Sequence, residues 1–75
     1  MVIDEKTLAL IIGSSVATYP KEITSMLVKN KVLPSTNTAF SNEQMVDGIL
    51  IGLNSSESFR NEYSSWIEQI ITTLN

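Results

Sequence analysis

The side chains that could carry out chemistry in this chain of 75 residues are serines, carboxylates and lysines, because it contains no histidine and no cysteine. Those two residue types supply many of the general bases, nucleophiles and soft-metal ligands of proteins. Ser14 and Ser15 follow Gly13, but the chain has no G-x-S-x-G elbow and no histidine to act as a base. We therefore predict that the chain is not an enzyme and has no catalytic residues and no cofactor.

Glu43 and Asp47 are the best candidates for a pair of acting carboxylates, because a spacing of four residues places both on one face of a helix. Such a pair can bind Mg²⁺ or take part in acid–base chemistry. Nothing in the sequence supplies a third ligand, and both residues lie beyond the edge of the apolar stripe of their segment. We therefore expect a solvated helix face here and no metal site.

Charge and hydropathy argue against two further kinds of partner. The formal net charge is −3, from 8 acidic and 5 basic residues, so nucleic acid or an anionic membrane exerts no overall attraction. Three lysines cluster around the second predicted helix, but a helix-turn-helix protein needs a basic recognition helix, and the third predicted helix is acidic. The longest apolar stretch, residues 8–12, is far shorter than the roughly 20 residues that span a bilayer. We expect neither a nucleic-acid partner nor a transmembrane segment.

The elements that must position these side chains are helical, because apolar residues recur three and four positions apart in four successive segments. The predicted helices run from Asp4 or Glu5 to about Ala17, from Pro20 to about Asn30, from Ser41 to residues 54–56, and from about Ser56 to Thr73. The sequence shows no alternating strand pattern and no linker long enough to divide a domain. We predict an all-α fold, a compact bundle of four short helices in a single helical domain, residues 1–75.

Local signals predict how several of these helices begin and end. Asn30 suits a left-handed C-cap of the second helix. Ser41 and Gln44 form a capping box at the start of the third helix, and Phe40 with Met45 forms a hydrophobic staple around it.

Two features predict helix shape and packing. Residues 13–15, Gly-Ser-Ser, are poor helix formers, so we expect the first helix to bend or end there. Gly48 and Gly52 match G-x-x-x-G, which predicts a shallow groove where another helix of the bundle crosses the third. The fourth helix has the longest apolar stripe and is predicted to be the packing spine; its members are Phe59, Tyr63, Trp66, Ile67, Ile70, Ile71 and Leu74.

Three apolar residues fall outside the predicted stripes. Leu10, Val28 and Ile51 each point well away from the main apolar face of their helix by helical-wheel geometry. Single exposed apolar residues are ordinary, but three of them on a chain with a marginal core favour burial against another protein. We therefore take Leu10, Val28 and Ile51 as a candidate partner interface, with a second copy of the chain as one such partner.

Three segments together resemble a module of bacteriophage particles. They are residues 20–32 (PKEITSMLVKNKV), residues 41–46 (SNEQMV) with Gly52-Leu53, and residues 58–61 (SFRN). In these segments the chain resembles small helical proteins and domains found among phage virion components, over roughly residues 20–70. It departs from that pattern at Lys31, where the family has glycine. The resemblance implies a structural part of a virus particle, with no catalytic residues to transfer, located in the virion or in the cytoplasm of the host cell.

The sequence thus favours a non-enzymatic structural or assembly protein, a minor virion component of a bacteriophage that acts through helix-mediated contacts with other protein subunits. The alternative is a small acidic regulatory or inhibitory binding protein that docks on another protein through its acidic surface.

Overall fold

In the computed structural model, which describes residues 4–36 and 38–74 (73 and 74 by their backbone alone), the described chain forms four α-helices. They are α1 (Glu5–Thr18), α2 (Pro20–Lys29), α3 (Asn42–Ser55) and α4 (Glu57–Leu74). The predicted all-α bundle is therefore confirmed. The helices α2 and α3 pack against each other, and α1 and α4 each pack against both. Among the described residues, no Cα of α1 lies within 8 Å of a Cα of α4.

The core lies where α2 and α3 meet the other two helices. Nine apolar side chains of the described residues are buried in this core, and each helix contributes at least two of them. Their spacing along each helix follows the apolar periodicity of the sequence. They are Ile12, Val16, Ile23, Met26, Leu27, Met45, Ile49, Phe59 and Tyr63. Every buried side-chain nitrogen or oxygen in the described residues has a hydrogen-bond partner, so the core holds no uncompensated polar group.

Side chains cap the first turns of α1 and α3. The Asp4 carboxylate accepts a hydrogen bond from the Thr7 N–H at 2.7 Å, which holds the pKa of Asp4 below its ordinary value. The predicted capping box of α3 is confirmed: Ser41 Oγ accepts from the Gln44 N–H at 3.1 Å, and Gln44 Oε1 accepts from the Ser41 N–H at 2.9 Å.

The end of α2 corrects the prediction for Asn30. Asn30 keeps a φ of −90°, and the left-handed residue is Lys31, with a φ of 62°. The N–H of Val32 donates to the Leu27 carbonyl at 2.8 Å and the N–H of Lys31 to the Val28 carbonyl at 3.0 Å. This is the Schellman arrangement, which puts the left-handed residue one position beyond the C-cap. The side chain of Asn30 instead reaches back to the Met26 carbonyl at 2.8 Å.

The helices α3 and α4 are joined by a single residue, Ser56. Its Oγ accepts a hydrogen bond from the Phe59 N–H at 3.2 Å, so Ser56 starts α4, while residues 54 and 55 still belong to α3. The guanidinium of Arg60 donates from Nε to the Leu53 carbonyl at 3.0 Å and so satisfies a carbonyl near the end of α3. By wheel geometry Arg60 lies within the apolar arc of α4, and this bond gives its guanidinium a polar partner there.

The three glycines behave differently. A Cβ at Gly48 would lie 3.2 Å from a Leu27 methyl of α2, and one at Gly52 would lie 2.5 Å from the Phe59 ring of α4, so the predicted helix crossings at both glycines are confirmed. The helix α1 continues to Thr18, close to its predicted end at about Ala17, so it does not end early at residues 13–15. Burial of Ile12, Ser15 and Val16 holds this segment helical despite its weak propensity.

Candidate protein-interaction surface

The apolar stripe of α4 is only half covered by the rest of the bundle. Phe59 and Tyr63, in its first half, are buried, whereas Ile67 and Ile70 are half-buried and Ile71 is 48% exposed. The predicted spine role therefore holds for the first half of the helix alone. The seventh predicted member, Leu74, lies outside the described side chains.

The uncovered half of the stripe faces a hollow between α1 and α4, which we call the α1–α4 groove. Its volume is about 430 Å³. The apolar lining consists of Leu10, Ile11, Tyr19, Ile67, Ile70 and Ile71. The remaining lining consists of Thr7, Ser14, Ser15 and Thr18, so none of the described side chains that line the groove is charged. Its two rims carry strongly exposed apolar residues: Leu10 of α1 is 71% exposed and Ile71 of α4 is 48% exposed.

A buried hydrogen bond joins α1 to α4 at the floor of the groove. The hydroxyls of Ser15 and Tyr63 lie 2.9 Å apart, and Ser15 Oγ also donates to the Ile12 carbonyl at 2.9 Å. Because the single Ser15 proton is used by Ile12, the Tyr63 hydroxyl donates to Ser15. Burial raises the pKa of the Tyr63 hydroxyl. The side chain of Ser15 is thus structural.

Aromatic contacts close the end of the bundle where α1 turns into α2. The Tyr19 ring meets the Trp66 ring edge-on at a centroid distance of 5.3 Å. The Tyr63 ring stacks between the rings of Trp66, at 6.0 Å, and Phe59, at 5.6 Å. Tyr63 is buried, as predicted, and Trp66 is half-buried against the core. The backbones of α1 and α4 stay apart in the described residues, with no Cα of one within 8 Å of a Cα of the other, so the two helices meet through side chains alone.

A second hollow, of about 290 Å³, shows that α1 and α4 are loosely joined on the other side as well. It shares Ile11, Ile67 and Ile71 with the α1–α4 groove, and its other lining residues are Leu8 of α1, Leu53 of α3, and Tyr63, Ser64 and the charged Glu68 of α4. The shared isoleucines therefore form a thin apolar partition between two hollows. Such a partition leaves part of each isoleucine in contact with water, which costs free energy in an isolated monomer.

The opposite side of α4 is tied to the end of α2 by polar groups. Asn30 Nδ2 donates to a Glu62 oxygen at 2.9 Å, and Lys29 Nζ lies 3.3 Å from the other Glu62 oxygen. Ser58 Oγ donates to Asn30 Oδ1 at 2.8 Å. The Asn30 amide, followed by Lys29, holds the pKa of Glu62 below its ordinary value, although desolvation opposes the change. This network fixes α4 against α2, away from the groove.

The three predicted interface residues do not lie on one surface. Leu10 is 71% exposed on the rim of the α1–α4 groove, and Ile51 is 58% exposed on α3, beside Leu50 at 43%. Val28 is half-buried and lines a different groove, together with Phe40 and Met45, so it lies apart from the other two.

Leu50 and Ile71 are the two exposed residues that the helical wheel missed. The wheel places Leu50 inside the apolar stripe of α3 and Ile71 inside that of α4, where burial is the ordinary outcome. The available signal for Ile71 is length: the 18 residues of α4 extend about 27 Å, against about 21 Å for the 14 residues of α1 or α3. A stripe longer than its neighbours cannot be covered along its whole length.

The other candidate groups remain dispersed. Glu43 and Asp47 are both exposed on α3. Within the part of the chain that the structure describes, no three His, Cys, Asp or Glu side chains come together as metal ligands. No helix in the described ranges is long and apolar enough to cross a bilayer.

Comparison of the chain with protein families, with curated proteins and with solved structures finds no match.

Proposed function

We propose that this chain is a non-enzymatic assembly protein, a minor structural component of a bacteriophage particle that docks on other protein subunits through exposed apolar helix surface. The α1–α4 groove is the observation that carries the proposal. It is an apolar, uncharged hollow on a chain of 75 residues, whose core is too small for such a surface to be left uncovered without cost.

The distribution of polar groups supports a docking role over a reaction. The buried polar groups of Ser15 and Tyr63 bond to each other and to the backbone, and so present nothing to a substrate. The carboxylates Glu43 and Asp47 lie on a solvated face. The large apolar side chains that the described residues leave exposed are Leu10, Leu50, Ile51 and Ile71. Apolar side chains of this kind contribute most of the free energy of protein association when they are desolvated.

The resemblance of residues 20–70 to virion components selects the kind of assembly. The departure from that pattern at Lys31 does not weaken it, because Lys31 adopts the left-handed conformation that a glycine would adopt there. The alternative is a small regulatory or inhibitory binding protein, favoured by the net charge of −3, since an acidic surface can dock on a basic partner.

Quantitative mass spectrometry of gradient-purified phage particles tests the proposal. The tryptic peptides of residues 7–21 and 61–75 lack methionine and are suitable isotope-labelled standards. A virion component will be present in a fixed number of copies per particle, and that number will survive a second gradient. A regulator will remain in the soluble fraction of the lysate, and particles free of both peptides would refute the proposal.

A further inference from the structure

We infer that the partner of the α1–α4 groove is a second copy of this chain, bound about a two-fold axis so that the two grooves face each other. This inference rests on the proposed function, which requires docking through apolar helix surface. It goes further because it names the surface and the occupant.

The charge of the groove favours a copy of the same chain. Two chains that each carry a net charge of −3 repel one another wherever charged surfaces meet. Among the described residues, no charged side chain lines the α1–α4 groove, so it offers these chains an approach without like charges in contact. The same absence argues against a basic peptide, which needs acidic residues in the groove, and against an anionic membrane, which needs basic ones.

The shape of the groove favours two-fold symmetry. A two-fold interface uses the same patch on both subunits, so each patch must carry both a projection and a cavity that receives it. Leu10 projects at one rim, with 71% of its surface exposed, next to a hollow of about 430 Å³. In a face-to-face pair, Leu10 of each copy enters the hollow of the other and covers the half-exposed Ile70 and Ile71 there.

The surface area leaves room for a dimer contact. A standard interface buries about 800 Å² on each partner, which is about 15% of the 5429 Å² that the chain exposes.

The test is sedimentation equilibrium of the full chain at concentrations from about 1 μM to about 1 mM, the range of weak to moderate association. We expect the average mass to rise from 8.3 kDa towards twice that value. Because the contact is uncharged, added salt should leave the association unchanged or strengthen it by screening the net repulsion. A mass of one chain throughout this range would overturn the inference, as would association that salt abolishes.

Matched lysine substitutions locate the contact. Leu10→Lys and Ile51→Lys each replace a strongly exposed apolar residue, 71% and 58% exposed, but only Leu10 lines the groove. A two-fold contact contains each substitution twice, so Leu10→Lys should raise the dimer dissociation constant by roughly 100-fold, tenfold for each lysine. Ile51→Lys should leave it within about threefold. The reverse order would move the contact to α3 and overturn the inference.

Two further measurements keep these outcomes interpretable. Circular dichroism at 222 nm should show Leu10→Lys and Ile51→Lys to be fully helical, because each residue is exposed. Ile71→Lys, on the other rim of the groove, should raise the dimer dissociation constant as Leu10→Lys does. Failure of this inference is separable from failure of the proposed function. A strict monomer that is still found in particles removes only the self-association, whereas a dimer absent from particles removes only the virion assignment.

Discussion

Substitution of each glycine by alanine should separate the three helical glycines by what lies above them. A Cβ at Gly13 meets no atom within 4 Å, at Gly48 it meets Leu27 methyls at 3.2 and 3.3 Å, and at Gly52 it meets the Phe59 ring at 2.5, 3.0 and 3.0 Å. Alanine gains about 1 kcal/mol over glycine in a helix interior at all three positions, so differences between the variants report packing alone.

The magnitudes follow from these distances. Gly13→Ala should stabilise the chain by up to about 1 kcal/mol, since nothing opposes the helix propensity. Gly48→Ala should be near neutral, because the flexible end of Leu27 can yield by a few tenths of an ångström. Gly52→Ala should destabilise the chain by up to about 2 kcal/mol, because Phe59 is fully buried and its ring can move only if the core rearranges, which costs about 1–3 kcal/mol against a gain of about 1 kcal/mol in helix propensity.

Thermal and urea unfolding, followed by circular dichroism at 222 nm, measure this series. For a domain of this size, 1 kcal/mol corresponds to a shift in Tm of about 4–8 °C, and the two variants differ by a packing cost of about 1–3 kcal/mol, so the Tm of Gly52→Ala should lie at least about 4 °C below that of Gly13→Ala. Phe59→Leu combined with Gly52→Ala should cost less than the sum of the two single variants, because the smaller side chain relieves the clash. If Gly52→Ala proved as stable as Gly13→Ala, the close crossing of α3 and α4 would be refuted.

Three further predictions concern hydrogen bonds and backbone strain. Lys31→Gly should stabilise the chain by about 0.5–1 kcal/mol in urea unfolding, because glycine adopts a φ of 62° without the steric cost that lysine bears; a loss of stability would contradict the Schellman ending of α2. Ser15→Ala should cost about 2 kcal/mol, since it leaves the buried Tyr63 hydroxyl without its acceptor. Tyr63→Phe should cost only about 1 kcal/mol, and the double variant should cost less than their sum; strict additivity would show that the hydroxyls do not interact. The lowered pKa of Glu62 contributes stability that is present above its ordinary value of 4.5 and is lost as the pH falls through the lowered value, so Glu62→Gln should flatten the fall of Tm below about pH 4.5; an unchanged fall would contradict the hydrogen bond between Asn30 and Glu62.

Much of the fold follows from local sequence, because local sequence decides where a helix begins and which face is apolar. The capping box at Ser41 needs only residues three positions apart, and it forms as predicted. The helix starts at Asp4 and Pro20 likewise depend on one or two residues. Packing outweighs local helix propensity where the two compete. The helix α1 continues through Gly13 because Ile12, Ser15 and Val16 around it are buried.

The interaction surface is predictable only in part. Helical-wheel geometry correctly places Leu10 and Ile51 at the surface, since each lies off the apolar stripe of its own helix. It does not reveal that Val28 is half-buried in a groove with Phe40, or that Leu50 and Ile71, which lie within apolar stripes, are exposed. These outcomes depend on contacts between segments distant in the sequence, and the periodicity of one helix carries no information about such contacts.

The sequence by itself determined that the chain is four amphipathic helices, where each begins, and that two glycines admit a crossing helix, because these properties depend on residues a few positions apart. Only the tertiary structure decided that α1 and α4 both pack on the α2–α3 pair, with no described Cα of α1 within 8 Å of a Cα of α4. That arrangement follows from the close contacts of Gly48 with Leu27 and of Gly52 with Phe59, which direct α2 and α4 onto α3. The α1–α4 groove exists because the three-dimensional packing leaves half of the α4 stripe with no helix to cover it.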